Sequence, residues 1–186
     1  ENDYLKAEMK ETEPLQEELY DEIVGRIKKD DKSVPVSING YTYYSNYKEG
    51  KDYAYNCRIK NEEGAKEEVM LDGPAMAEGN AYFAIGGRSV SEDNKLLAYS
   101  LDLVSRREYT IHIKNLETGE ILSDKIENTT GGITWANDNK TIFYTKKDPV
   151  TLRSEKIFRH VLGTSTEEDV EVFHEKDDTF GTYVTK

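Results

Sequence analysis

The sequence predicts a mainly β protein: about three four-stranded antiparallel blades of an incomplete β-propeller, preceded by an N-terminal α-helical segment. Three observations predict it. Helical periodicity is confined to residues 1–30. After Pro35 the apolar and aromatic residues alternate with period two, in short runs broken by turn residues, as half-buried strands require. Finally, residues 89–100 (SVSEDNKLLAYS) align with residues 134–145 (TWANDNKTIFYT), placing the shared Asp-Asn-Lys 45 residues apart. A repeat of that length, with several short strands in each copy, is the signature of propeller blades.

The helical segment, residues 1–35, is built on Leu15, Leu19, Ile23 and Ile27, which recur every four residues, with Tyr20 and Val24 widening the stripe. Pro14 suits a first-turn position, where its missing N–H removes no hydrogen bond, and Lys28 and Lys29 suit the last turn. Tyr4 to Lys10 forms a shorter helix before it. The stripe needs a partner surface, either a sheet edge of this chain or another domain.

Strands are expected at 41–47, 53–59 and 68–71, then at 96–101, 109–116 and 120–123, and then at 141–145, 156–162 and 170–174. Asn39-Gly40, Glu49-Gly50 and Glu117-Thr118-Gly119 supply turns between them. Grouped by the repeat, residues 36–186 hold blades at about 39–72, 86–126 and 132–174, with a fourth starting at 180–186. Propellers close at four to eight blades, so three and a start leave the ring open. The chain therefore reads as an excised piece. An open or sandwiched β domain of about nine strands is the alternative architecture.

Composition narrows the function. The 186 residues carry 37 Asp and Glu against 25 Lys and Arg, a formal charge of −12, which disfavours nucleic acid and anionic membrane surfaces as partners. Leu, Ile, Val and Phe make up only 40 residues, so the core should be thin, with 13 Tyr supplying much of its area. No apolar run is long enough to span a membrane. The single cysteine, Cys57, excludes an intrachain disulfide, and with no secretory signal in residues 1–11 it suggests the cytoplasm.

Several segments, in order, resemble one family. Residues 13–35 (EPLQEELYDEIVGRIKKDDKSVP), 40–44 (GYTYY) with 49–51 (EGK), 116–120 (LETGE), 145–149 (TKKDP), 152–154 (LRS) and 159–163 (RHVLG) are similar to the N-terminal part of the oligopeptidase B (protease II) branch of the prolyl oligopeptidase family of serine peptidases. The likeness covers nearly the whole chain, and the ordered set is far more specific than any one motif. It implies an N-terminal segment, a seven-bladed propeller, and a C-terminal α/β-hydrolase domain with a Ser-Asp-His triad that cleaves short peptides after Arg or Lys without a cofactor. On that implication this chain stops early in the fourth blade and holds none of the main hydrolase domain. A dipeptidyl-peptidase-type propeller is a more distant likeness, because residues 15–35 fit it less well.

The residues themselves offer no catalytic set. A nucleophile elbow needs Gly-x-Ser-x-Gly, and near Gly86-Gly87 the closing glycine is replaced by Ser91, so residues 86–91 read as the start of a blade. His112 alternates with Ile111 and Ile113 and is a solvated or cross-strand histidine. His160, sharing a face with Phe158 and Leu162, reads as a packed imidazole bonded to backbone. His174, among Glu171, Glu175 and Asp177, reads as surface. None has a metal-ligand spacing, and the acidic pairs Glu62-Glu63, Glu67-Glu68 and Asp177-Asp178 lack the alternation that wraps calcium. No catalytic or metal site is expected, and substrate-binding residues are undefined. Residues 129–132 lack a phosphate-loop ending, and Asn128-Thr129-Thr130 is a formal glycosylation sequon.

The expected function is therefore a non-catalytic gate over the pocket of a serine oligopeptidase, inactive by itself. Its partners would be short cationic peptides, drawn in by the negative charge, and a hydrolase domain in the same polypeptide against which residues 14–29 pack. Open blade edges would also favour self-association. The competing expectation is a stand-alone propeller-like binding module with no peptidase attached.

Overall fold

The structure, a computed structural model, describes residues 1–186. Helix α1 (Asn2–Met9) runs through one 3-10 turn (Lys10–Thr12) into α2 (Glu13–Gly25). Pro14 sits in the first turn of α2 as expected. The helix ends at Gly25, so Lys28 and Lys29 lie beyond its last turn, contrary to the reading from charge placement. No sheet of this chain covers the apolar stripe: Leu15, Leu19, Tyr20, Ile23 and Ile27 are 46–67 % exposed. No helix is long and apolar enough to cross a membrane.

The first blade takes its inner strand from two short pieces, β1 (Asp31–Lys32) and β2 (Val36–Ile38), both antiparallel to β3 (Tyr41–Tyr47). Pro35, which lacks an N–H to donate, stands at the break between them. Then come β4 (Tyr55–Lys60) and β5 (Glu67–Asp72). A short helix, α3 (Gly73–Ala77), links this sheet to the next. It was not expected from the sequence, and it is capped by the Asp72 carboxylate, which accepts from Ala75 N at 3.0 Å.

The second sheet holds seven antiparallel strands in unbroken sequence order: β6 (Ala84–Val90), β7 (Leu96–Asp102), β8 (Tyr109–Asn115), β9 (Ile121–Trp135), β10 (Thr141–Lys147), β11 (Ser154–Val161) and β12 (Val170–His174). Its middle corrects the sequence reading. The strand expected at 120–123 continues through Gly131-Gly132 to Trp135 as the 15-residue β9. The first half of β9 pairs with β8 (Ile111 opposite Ile126) and the second with β10 (Ile142 opposite Trp135), while Thr129 faces Tyr109 on one side and Lys146 on the other. Thus the outer strand of one blade becomes the inner strand of the next, bent where Asn128 and Gly131 take φ of 59° and 90°. The strand expected from 180 onward does not form; Thr182 N instead donates to Ser154 O.

The middle blade is buried on both faces, which is what alternation in a stacked blade demands. Leu97 and Tyr99 pack against Met70 and Leu71 of the first blade. Ala98, Ile111 and Ile113 pack against Ile126, Trp135, Ile142 and Tyr144 toward the third. Only 25 residues are buried, so the core is as thin as the composition suggested.

The repeat explains how blades are stitched at one end. Asn39, Asn94 and Asn139 stand in equivalent inner turns with φ of 46°, 62° and 57°, a region that asparagine tolerates better than most residues. Each reaches its neighbour: Asn94 Nδ2 donates to Asn39 O at 3.1 Å, and Asn139 Oδ1 accepts from Asp93 N at 3.0 Å. The repeated aspartates close their own turns, Asp93 accepting from Lys95 N and Asp138 from Lys140 N and Thr141 N.

Candidate functional site

The first strands of the three blades, β1/β2, β6 and the second half of β9, make a wall in which β6 lies against β9 and β2 faces β6 across a cleft. Between β6 and β9 this wall is closed backbone to backbone. A Cβ on Gly87 would lie 2.1 Å from the Gly131 carbonyl oxygen, and one on Gly86 would lie 2.6 Å from Ser100 Oγ and 2.7 Å from the Tyr109 ring. Ser100 Oγ accepts from Gly87 N at 2.9 Å and donates to Gly131 O at 3.0 Å, locking the contact. Trp135 Nε1 donates to Ser89 O at 2.9 Å. The Gly-Gly-Arg-Ser-Val-Ser segment is therefore the inner strand of a blade. Ser91, nearly fully buried, donates to the Asp93 carboxylate at 2.6 Å and accepts from Leu96 N.

Between β2 and β6 the wall is open. A cleft of about 450 Å³ separates the first two blades, with Val36, Ile38, Met70 and Leu97 among its apolar lining and Arg88 and Asn94 at its polar edge. The Arg88 side chain is exposed, yet the surrounding wall desolvates it enough to lower its pKa from the ordinary value. Cys57 is also against the cleft, and burial pushes its thiol up to about 11, which keeps it protonated and unreactive at neutral pH.

The third blade holds a buried polar network. His160 on β11 is fully buried. Its Nδ1 lies 2.6 Å from Asp169 Oδ1 and its Nε2 lies 3.0 Å from Asp124 Oδ1. Gly163 N donates to Asp124 at 2.6 Å, and the Tyr144 hydroxyl donates to Asp169 at 2.7 Å. Burial, then the bond to Asp169, raises the Tyr144 pKa. The expectation of backbone partners for His160 is corrected: both partners are carboxylates. The ring separates them, so they do not converge on a common point, and no three His, Cys, Asp or Glu groups anywhere are arranged to hold a metal ion.

His112 is a cross-strand histidine. It faces Tyr99 in register, with ring centroids 5.5 Å apart and planes 26° from parallel. Burial, and secondarily Lys125, lowers its pKa, so folding favours the neutral ring. Its contribution to stability is complete above the unfolded-state pKa of about 6.5 and is lost as pH falls through the lower folded-state value. The unfolding midpoint should therefore drop as pH is lowered from about 7 to about 5, and His112→Phe should flatten that part of the profile. His174 lies 4.0 Å from Glu155 at the edge of β12.

For a chain of three stacked blades with an open flank, the comparisons with known proteins decide the family. The model for the prolyl oligopeptidase N-terminal β-propeller domain matches residues 1–186. The chain belongs to the prolyl oligopeptidase family. It is 43 % identical to dipeptidyl aminopeptidase BI of Pseudoxanthomonas mexicana over 97 % of this chain and 27 % of that protein. It is 34 % identical to Protease 2 of Moraxella lacunata over 100 % of this chain and 28 % of that protein. Among solved structures, oligopeptidase B from Leishmania major superposes with a TM-score of 0.90 at 33 % identity, covering 98 % of this chain and 26 % of that one. The chain thus spans about a quarter of the length of the relatives it matches, and the resemblance read from residues 13–163 is confirmed.

Within this prolyl oligopeptidase propeller domain, the sequence missed the cleft and the His160 network. The cleft had a signal, the alternation of Val34, Val36 and Ile38 around Pro35. The network had none, because its carboxylates lie 36 and 9 residues from the histidine.

Proposed function

We propose that this chain controls access to the catalytic centre of a serine oligopeptidase that cleaves short peptides after Arg or Lys, and that it contributes no catalytic group itself. One observation supports the reading: close-packed, stacked blades in a fold shared with oligopeptidase B. Such a wall works by shape. β6 and β9 are close-packed at Gly87 and Gly131 and bridged by Ser100 Oγ, and a rigid wall of that kind around the passage of a whole propeller would hold back a folded domain while an extended peptide passes. The exposed stripe of α2 supports packing against the hydrolase domain of the same polypeptide, which would tie domain opening to the N-terminal segment.

The formal charge of −12 supports electrostatic steering of cationic peptides. For the full-length enzyme, kcat/KM toward a dicationic peptide should fall several-fold as ionic strength rises from about 0.01 M to about 0.15 M, because the screening length contracts from ~30 Å to ~8 Å. No dependence on salt would exclude steering.

A second reading, release of dipeptides from a free N-terminus, is favoured by the likeness to dipeptidyl aminopeptidase BI. The two separate cleanly. An N-acylated arginyl or lysyl amide is a substrate only for the first activity, and a dipeptidyl amide with a free amine is required for the second. The full-length protein should hydrolyse the acylated substrate. Turnover of neither would leave a binding module.

A further inference from the structure

The cleft between the first two blades is not needed for the closed wall described above, and its chemistry is asymmetric. Half of its lining residues are apolar, with Cys57, Met70 and Leu97 buried and Val36 and Ile38 exposed, and the Arg88 guanidinium forms no ion pair and no hydrogen bond, although acidic residues outnumber basic ones in this chain. Glu92, which also lines the cleft, is already occupied by Lys186. At the neighbouring seam the equivalent space is filled by the approach of Gly87 to Gly131. The volume of about 450 Å³ is within the range of small-ligand pockets and accommodates one large side chain with space for its backbone.

We propose that this cleft binds the carboxyl terminus of a peptide, the apolar C-terminal side chain entering between β2 and β6 and the α-carboxylate pairing with Arg88. The complementarity selects that occupant. A planar guanidinium matches a carboxylate with two parallel hydrogen bonds. Val36, Ile38, Met70 and Leu97 line the same cleft, and within a peptide only the chain terminus carries a carboxylate and an apolar side chain on the same carbon. An internal Asp or Glu offers the charge without the apolar arm. Anchoring the far end of a substrate in the passage wall would favour peptides whose length spans the distance to the scissile bond, so the site deepens the gating reading and rests on it.

The test uses the full-length protein and two peptides of one sequence, with a single internal Arg and a C-terminal Phe, one ending as free acid and the other as amide. Binding is read by fluorescence anisotropy of the N-terminally labelled peptides, and hydrolysis by kcat and KM separately. The acid should bind about tenfold more tightly and show a lower KM at unchanged kcat, as uniform binding predicts. Arg88→Gln should abolish the difference between acid and amide, and Arg88→Lys should keep part of it. Equal binding of acid and amide, whether because the cleft is filled by another part of the polypeptide or because Arg88 does not engage, overturns the site. So does a difference that survives Arg88→Gln. If both peptides are hydrolysed with equal KM, the site falls and the peptidase reading stands. If the acid binds preferentially but neither is cleaved, the site stands and the peptidase reading falls.

Discussion

Replacing His160 with Ala should lower the unfolding free energy by about 3–5 kcal/mol, a large share of the 5–15 kcal/mol typical of a folded domain. The magnitude comes from what is left behind. The imidazole stands between Asp124 and Asp169, both nearly inaccessible, and each ring nitrogen faces a different carboxylate oxygen. One side chain thus bridges β9 to the connection before β12. Alanine removes both contacts and leaves a void beside two buried carboxyl oxygens. Asp124 would keep Gly163 N, and Asp169 would keep the Tyr144 hydroxyl, which limits the loss without cancelling it. Urea unfolding measures the total. Hydrogen exchange locates it, with residues 162–170 losing protection first, since Asp124 and Asp169 tie that connection to β9 and β11. Adding Asp169→Asn to His160→Ala should recover part of the loss by replacing a buried carboxyl group that has lost a partner with an amide. A single substitution costing under about 1 kcal/mol would show that the network carries no load.

Gly87→Val should be nearly as damaging, for a steric reason. The position has an ordinary φ, so conformational freedom is not the issue. The obstacle is the Gly131 carbonyl, 2.1 Å from where a Cβ would sit, and backbone cannot rotate away as a side chain can. Inserting carbon there separates β6 from β9 and breaks the two bonds made by Ser100 Oγ, with an expected loss of about 3 kcal/mol by thermal or urea unfolding. Gly132→Ala is the matched control. Its Cβ would meet only Thr130 Oγ1, at 3.8 Å, so that variant should be neutral or slightly stabilising. Equal behaviour of the two variants would remove the close-packed wall from the account.

Much of the architecture was legible in the residues. The shared Asp-Asn-Lys at 93 and 138 located two inner turns, and both asparagines adopt the left-handed conformation that such turns need. Alternation in Tyr109–Asn115 placed Ile111 and Ile113 in the core and His112 opposite them, as observed. Ending a strand at 123 and starting the next blade at about 132 was wrong because Asn and Gly signal a change of direction without saying whether hydrogen bonding stops. Here β8 and β10 take up the two halves of β9, so the strand persists through the bend. The His160 reading failed for a related reason. Periodicity assigns a side chain to a face, but the groups across from that face come from β9 and from the connection before β12.

Strand period, turn positions, blade repeat and the charge that governs long-range attraction were set by the residues alone, since each depends on backbone preferences and sums that act within a few positions. The tertiary structure alone decided which seams close and which stay open. Gly87 meets Gly131 while Val36 and Arg88 face an empty cleft, and Asp124 and Asp169 meet on one imidazole. Those outcomes depend on how whole blades pack, where a single shared strand binds the second and third blades tightly and a short helix leaves the first and second apart.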